Sequence, residues 1–179
     1  KSFQHGCPIA PRSDASDIGQ WSGVGVMAKF PVRRLPHSWP SCMYNSGRLV
    51  CTSFCAHGLW ISGVVVYGTP TGPTHPKGRE VTNELLAQAL DRIEQTPGPR
   101  YIAGDFNQSH LNLPSMQYWQ NQGWVNAQWW AQERLGKPLQ PTCKGVTIKD
   151  HIYLSPELAM YLEDVIVDQT IFKDHAVLA

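Results

Sequence analysis

Apolar residues along the chain fall into short β-rich runs broken by one long stretch of helical spacing, and several of those runs end on a carboxylate, an amide or an imidazole. Val24-Gly25-Val26-Met27-Ala28 reads as a strand stopped by Pro31. Arg48 to Ala56 and Trp60 to Tyr67 are rich in β-branched and aromatic side chains and flank a His57-Gly58 turn. They predict an antiparallel hairpin whose second strand is apolar enough to be central. Val81, Leu85, Leu86, Ala89, Leu90 and Ile93 then recur at helical spacing until Thr96-Pro97-Gly98-Pro99 stops the helix. With the strand from Arg100 to Gly104 this makes a strand-helix-strand crossover. Leu113, Met116 and Trp119 or Gln120 suggest a second, short helix, followed by a tryptophan-rich stretch through Trp130. A loop marked by Pro138, Pro141 and Gly145 precedes the strand Asp150 to Leu154, and Val165-Ile166-Val167 is the last apolar run before Asp174-His175. The alternation of strands and helices predicts an α/β protein. Residues 1 to 20 have loop composition.

Length and composition narrow the class. A chain of 179 residues with 42% hydrophobic content is the size of one compact domain, 1–179, with a real core, and no segment is long and apolar enough to span a membrane. The net charge of +1 lacks the basic excess of a general nucleic-acid binder, so contact with a polyanion must be local. Short basic clusters at Arg33-Arg34, Lys77-Arg79 and Lys144 with Lys149 are the places for it, against the alternative of ordinary solvated charge. Cysteines at 7, 42, 51, 55 and 143 form an odd set without a Cys-x-x-Cys pair, which predicts reduced thiols in an intracellular compartment, cytoplasmic or nuclear. Cys51, Cys55 and His57 lack the second pair that a structural zinc site needs. The start at Lys1, without methionine or signal-peptide pattern, predicts a segment of a longer protein.

The chemistry gathers at three strand ends. Tyr101-Ile102-Ala103-Gly104 runs into Asp105-Phe106-Asn107, Asp150 opens the strand to Leu154, and Asp174-His175 follows the last apolar run. Hydrolysis of a phosphodiester requires an oriented water and charge stabilisation on the phosphate oxygens. Asp105 offers a base or orienter for that water, and Asn107 an amide to fix it or a phosphate oxygen. His175, held by the Asp150 carboxylate, offers hydrogen bonds to the phosphate. Asp174 is an oxygen ligand for a hard cation such as Mg²⁺. Each residue alone also fits a turn, a strand cap or a surface dipeptide. Their joint placement at strand ends favours a site.

In order, these segments resemble the endonuclease/exonuclease/phosphatase superfamily. Trp21 to Pro31 resembles its Gly-Val-hydrophobic strand with a proline turn, and Val64-Val65-Val66-Tyr67-Gly68-Thr69-Pro70 its strand ending in Tyr-x-Pro-Asn. Gly104-Asp105-Phe106-Asn107 is similar to its Gly-Asp-Phe-Asn. Pro141-Thr142 with Asp150-His151-Ile152-Tyr153, and Lys173-Asp174-His175-Ala176-Val177, resemble its later segments. The resemblance implies an α/β sandwich of two packed, mixed and mainly antiparallel β-sheets flanked by helices, four layers in all. It implies Mg²⁺ or Mn²⁺ dependence, Asp105 and Asn107 as the water-activating pair, Asp150 with His175 as the dyad at the phosphate, and Asp174 beside the metal. Tyr67 would place a phenol near the phosphate, which tilts the likeness toward the AP endonuclease and retrotransposon endonuclease branch. The function the resemblance implies is endonucleolytic hydrolysis of nucleic acid, DNA foremost, with fusion to a reverse transcriptase or another domain as one expected context. A phosphatase, a phospholipid phosphodiesterase or a catalytically degenerate binding module on the same scaffold are the alternatives. The Asn of Tyr-x-Pro-Asn is absent here, leaving Thr69 or Thr71, and residues 1 to 20 lack glutamate, so the family's first strand and metal-binding Glu are expected upstream of Lys1. Trp119, Trp124, Trp129 and Trp130 fit either base stacking or the core.

Overall fold

The computed structural model describes residues 32–34, 47–70, 75–171 and 174–179. The strand expected at 24–28, the loop at 1 to 20, Cys7 and Cys42 lie outside the described residues.

The hairpin forms as the pattern predicts. Strands β2 (Leu49–Ala56) and β3 (Leu59–Val66) pair antiparallel from Leu49 opposite Val66 to Ala56 opposite Leu59. His57 and Gly58 turn the chain with φ of 51° and 80°, the left-handed pair that a tight two-residue hairpin requires. A short strand β1 (Val32–Arg34) flanks β2. Helix α1 (Pro76–Glu94) begins with proline in its first turn, where a missing N–H is harmless, and buries Thr82, Leu86, Ala89, Leu90 and Ile93. It starts a turn before the apolar repeat because that first turn is polar and mostly exposed. The chain returns through β4 (Arg100–Asp105), parallel to β3, which is the expected crossover.

Helix α2 (Pro114–Asn121) and the two-residue strand β5 (Val125–Asn126) follow. The tryptophan-rich stretch then holds a helix that apolar spacing does not announce, α3 (Ala127–Leu135). Its signals are caps. The Asn126 side chain accepts hydrogen bonds from the N–H groups of Gln128 and Trp129, and Gly136 ends the helix at φ 66°. Strand β6 (Asp150–Leu154) lies between β4 and β5, antiparallel to both, giving the sheet order β1-β2-β3-β4-β6-β5. A single-turn helix α4 (Pro156–Ala159) precedes a second sheet of β7 (Val167–Asp168) and β8 (Val177–Leu178).

One face of the large sheet, with Val64, Val66, Ile102 and Tyr153, packs on Leu86, Leu90 and Ile93 of α1 and on Met116 and Trp119 of α2. Full burial of each such aliphatic side chain stabilises by about 1.5–3 kcal/mol. Trp119 and Trp124 belong to this core, while Trp129 and Trp130 are half-buried. On the other face Ile152 packs with Ala127, Ala131, Trp130, Leu162 and Val165, and β8 lies against β6. Among the described residues the fold is thus α/β with two sheets and flanking helices. No helix among the described residues is long and apolar enough to cross a membrane. At one edge of the large sheet β3 and β4 end and β6 begins.

Candidate active site

Pairing of β4 with β6 sets Asp105 directly opposite Asp150. The two carboxylates therefore share a face, opposite the one covered by α1 and α2. Backbone bonds hold this edge: the Gly68 N–H donates to the Asp105 carbonyl at 2.7 Å, and the Phe106 N–H to the Lys149 carbonyl at 2.9 Å. Gly104 brings β4 this close to β3. Its φ is 139°, and a Cβ there would collide with the Val66 carbonyl oxygen.

Past the strand end the chain makes a tight Asp-x-Asn turn. The Asn107 N–H donates to Asp105 Oδ1 at 2.8 Å, with Asn107 at φ 52°. Asn107 is buried and its Nδ2 donates to the Gly68 carbonyl at 3.2 Å, which leaves its side-chain oxygen as the remaining acceptor. The turn fixes one carboxylate oxygen of Asp105 and leaves the other, Oδ2, for its neighbours.

His175 completes the arrangement. Its Nδ1 lies 2.9 Å from Asp150 Oδ2 and 3.2 Å from Oδ1, and its Nε2 lies 3.9 Å from Asp105 Oδ2. One atom each of Asp105, Asp150 and His175 lie within 4.8 Å of one another. Burial, the largest cause, pushes the Asp105 carboxyl above its ordinary range, and the Asp150 charge adds to this. The Asn107 N–H, His175 and Lys149 oppose the rise.

Thr142, whose role the sequence reading did not assign, anchors the dyad. Its buried hydroxyl accepts the N–H groups of Lys149 at 3.0 Å and Asp150 at 2.9 Å, while its carbonyl accepts the Ala176 N–H at 2.8 Å. One threonine thus ties the Asp150 strand start to the His175 segment. A Pro-Thr pair just before the Asp150 strand was the only signal. Cys143 bridges to His175 through the backbone, and its Sγ lies 3.9 Å from His175 Nε2.

Tyr67 follows β3 at the same edge. The Arg48 guanidinium sits 5.2 Å from the centre of its ring and donates to the Gly68 carbonyl at 3.1 Å, a contact absent from the sequence reading. Asp105, Asn107, Asp150 and His175 are therefore brought together, with Tyr67 on the same edge. Asp174 is exposed and stands outside the cluster, its carbonyl accepting the Lys144 N–H at 2.8 Å. Of the basic clusters, Lys149 adjoins Asp105 and Lys144 lies on the turn beside His175, whereas Lys77 and Arg79 lie exposed on α1. The two facing carboxylates are the donor type a hard divalent cation takes, and such a cation would relieve their repulsion.

The sequence matches the profile of the Endonuclease/Exonuclease/phosphatase family over residues 3–169. In direct sequence comparison no curated protein matches the chain. Among solved structures it is similar to a 3'-5' exonuclease from Neisseria meningitidis, with 18% identity, TM-score 0.57, and coverage of 83% of this chain and 68% of that one. It is also similar to an AP endonuclease from Archaeoglobus fulgidus, with 15% identity, TM-score 0.57, and coverage of 75% and 65%. The endonuclease domain of a telomere-specific non-LTR retrotransposon is a third, with 17% identity, TM-score 0.55, and coverage of 84% and 65%. At these identities the likeness is one of fold, and the chain spans about two thirds of the length of these structures.

Proposed function

The chain belongs to the Endonuclease/Exonuclease/phosphatase family, and from that premise we propose that it is a divalent-cation-dependent phosphodiesterase that cuts nucleic acid, DNA in the first place. The observation that carries this reading is the Asp150–His175–Asp105 arrangement, in which one imidazole bridges two carboxylates at the edge where β3, β4 and β6 meet. The family's members are hydrolases of phosphoesters. The names of the similar structures, an exonuclease, an AP endonuclease and a retrotransposon endonuclease, support nucleic acid as the substrate.

In this reading Asp105 Oδ2 accepts a proton from the attacking water, and the Asn107 side-chain oxygen holds that water in line. A carboxyl whose pKa is raised by burial is a better base near neutral pH than an ordinary one. Asp150 fixes the His175 ring through Nδ1, so that a protonated Nε2 donates to a non-bridging phosphate oxygen. The Tyr67 phenol stands near the phosphate, and Lys149 and Lys144 are placed to meet flanking phosphates. Mg²⁺ or Mn²⁺ would be held by Asp105 and Asp150, with Asp174 as a rim ligand, and would supply charge neutralisation at the phosphate.

The test is hydrolysis by the full-length protein in Mg²⁺ of supercoiled DNA, of a duplex with an abasic site, and of small phosphate esters. Cleavage of DNA that EDTA abolishes supports the proposal. Turnover confined to small esters would instead make the protein a phosphatase on this scaffold.

A further inference from the structure

We propose that His151 is a positioning residue for the reaction, holding the Asp105-Phe106-Asn107 turn in place from the core side of the sheet. Side chains alternate along β6, so Asp150 faces the site while its neighbour His151 faces the core, 2% exposed. His151 lies opposite Gly104 in the β4–β6 register, and its ring centre is 5.3 Å from that of Phe106, the middle residue of the Asp-x-Asn turn. The Trp129 ring of α3 stacks with the same imidazole at 6.1 Å and 28°.

Both ring nitrogens are engaged. Nε2 lies 3.1 Å from the Gln108 carbonyl oxygen, and because a carbonyl only accepts, Nε2 carries the proton. Nδ1 then keeps its lone pair and accepts from Asn126 Nδ2 at 3.4 Å. The same orientation of the Asn126 amide turns its oxygen to the N–H groups of Gln128 and Trp129 at the start of α3. The helix cap therefore sets the amide, the amide sets the tautomer, and the tautomer aims an N–H at Gln108.

The turn so held carries two residues of the site. Asn107 has φ 52°, a left-handed conformation that asparagine tolerates but that surrounding contacts must select. Its own N–H and Nδ2 are tied to Asp105 and Gly68. The next residue, Gln108, is buried, and its side-chain amide has no hydrogen-bond partner among the described residues, so the bond from His151 to its carbonyl anchors the outgoing end of the turn. Without that bond the turn relaxes, and the Asn107 oxygen loses its alignment with Asp105 Oδ2. That His151 thereby sustains turnover rests on the phosphodiesterase reading; that it fixes the turn does not.

The experiment compares the full-length wild type with His151→Phe, which keeps an aromatic ring and removes both hydrogen bonds, and His151→Gln, whose amide donates to the Gln108 carbonyl and accepts from Asn126. Amide hydrogen exchange read by NMR is expected to show protection of the Asn107 N–H falling about 10-fold in the phenylalanine form, with the α1 amides little changed, and returning in the glutamine form. On the DNA that the wild type cleaves in Mg²⁺, kcat falls about 10²-fold in the phenylalanine form with KM unchanged, and the glutamine form recovers most of it. Asn126→Ser keeps a helix-capping oxygen but removes the donor to Nδ1, and it is expected to loosen the same N–H if the phenylalanine form does not fold. A wild type that leaves DNA intact would refute the phosphodiesterase reading, while the exchange comparison still decides the role of His151. Unchanged Asn107 protection, a loss spread equally over α1 and the turn, an unchanged kcat in a form whose turn has loosened, or a glutamine form no better than the phenylalanine one overturns the assignment.

Discussion

Asp105 and Asp150 are direct cross-strand partners on β4 and β6, with the His175 imidazole bridging their carboxylates, 2.9 Å from one and 3.9 Å from the other. Like charges in such a position destabilise a sheet. The folded-state pKa of Asp105 is raised, chiefly by burial, so the native state holds the proton more readily than the unfolded chain. Its effect on stability is neutral below the ordinary carboxylate range and becomes unfavourable as pH rises through the raised folded value. In metal-free protein Asp105→Asn is therefore expected to be more stable than wild type by about 0.5–1 kcal/mol at neutral pH, with the difference vanishing in acid. Urea unfolding at the two pH values checks this, and a variant less stable at neutral pH contradicts it.

Thr142 offers a test of positioning that leaves the Asp150 and His175 side chains in place. Thr142→Val keeps the shape but leaves the N–H groups of Lys149 and Asp150 without their acceptor. A loss of about 1–3 kcal/mol in unfolding free energy is expected, together with a fall in turnover that Thr142→Ser largely restores. Equal stability of the valine form would show that the hydroxyl does not anchor the strand.

The dyad should act as a unit. Asp150→Asn and His175→Ala are each expected to lower turnover by about 10²–10⁴-fold. The double variant should be little worse than the weaker single one, since groups acting together are strongly non-additive. A double-mutant cycle on steady-state rates measures this, and additive losses would mean that the two side chains act independently.

Gly104 tests the architecture. Gly104→Ala places a Cβ on the Val66 carbonyl at a φ of 139°, so β3 and β4 must part at the site edge. The backbone conformation alone costs about 1–3 kcal/mol for a side-chain-bearing residue. Thermal unfolding should show a lowered Tm, and an unchanged Tm would mean that the edge relaxes freely.

Much of this was legible in the sequence because the signals were local. The hairpin around His57-Gly58, the helix carrying Leu86, Leu90 and Ile93, and the strand running into Asp105 all follow from periodicity and turn residues over short windows. Helix α3 escaped because its buried Ala127, Gln128 and Ala131 are small or polar, so its signal was the Asn126 and Gly136 caps rather than an apolar stripe. The gathering of Asp105, Asn107, Asp150 and His175 was expected from their strand-end positions. The parts played by Thr142, Arg48 and Cys143 were not, since each acts through a partner distant in sequence: Ala176, Gly68 and His175. Asp174, expected beside a hard cation, lies exposed next to the Asp105, Asp150 and His175 group rather than within it, because successive side chains diverge in extended chain.

In the proposed function the Asp105 carboxylate, set between Asn107 and the Asp150–His175 pair, takes the proton of the water that attacks a nucleic-acid phosphate. Nicking of supercoiled plasmid in Mg²⁺, compared between the full-length protein and its Asp105→Asn variant at matched folding, tests it most directly. Mg²⁺-dependent nicking by the wild type and a loss of at least about 100-fold in the variant is the predicted result. Nicking at the same rate by both proteins would contradict it.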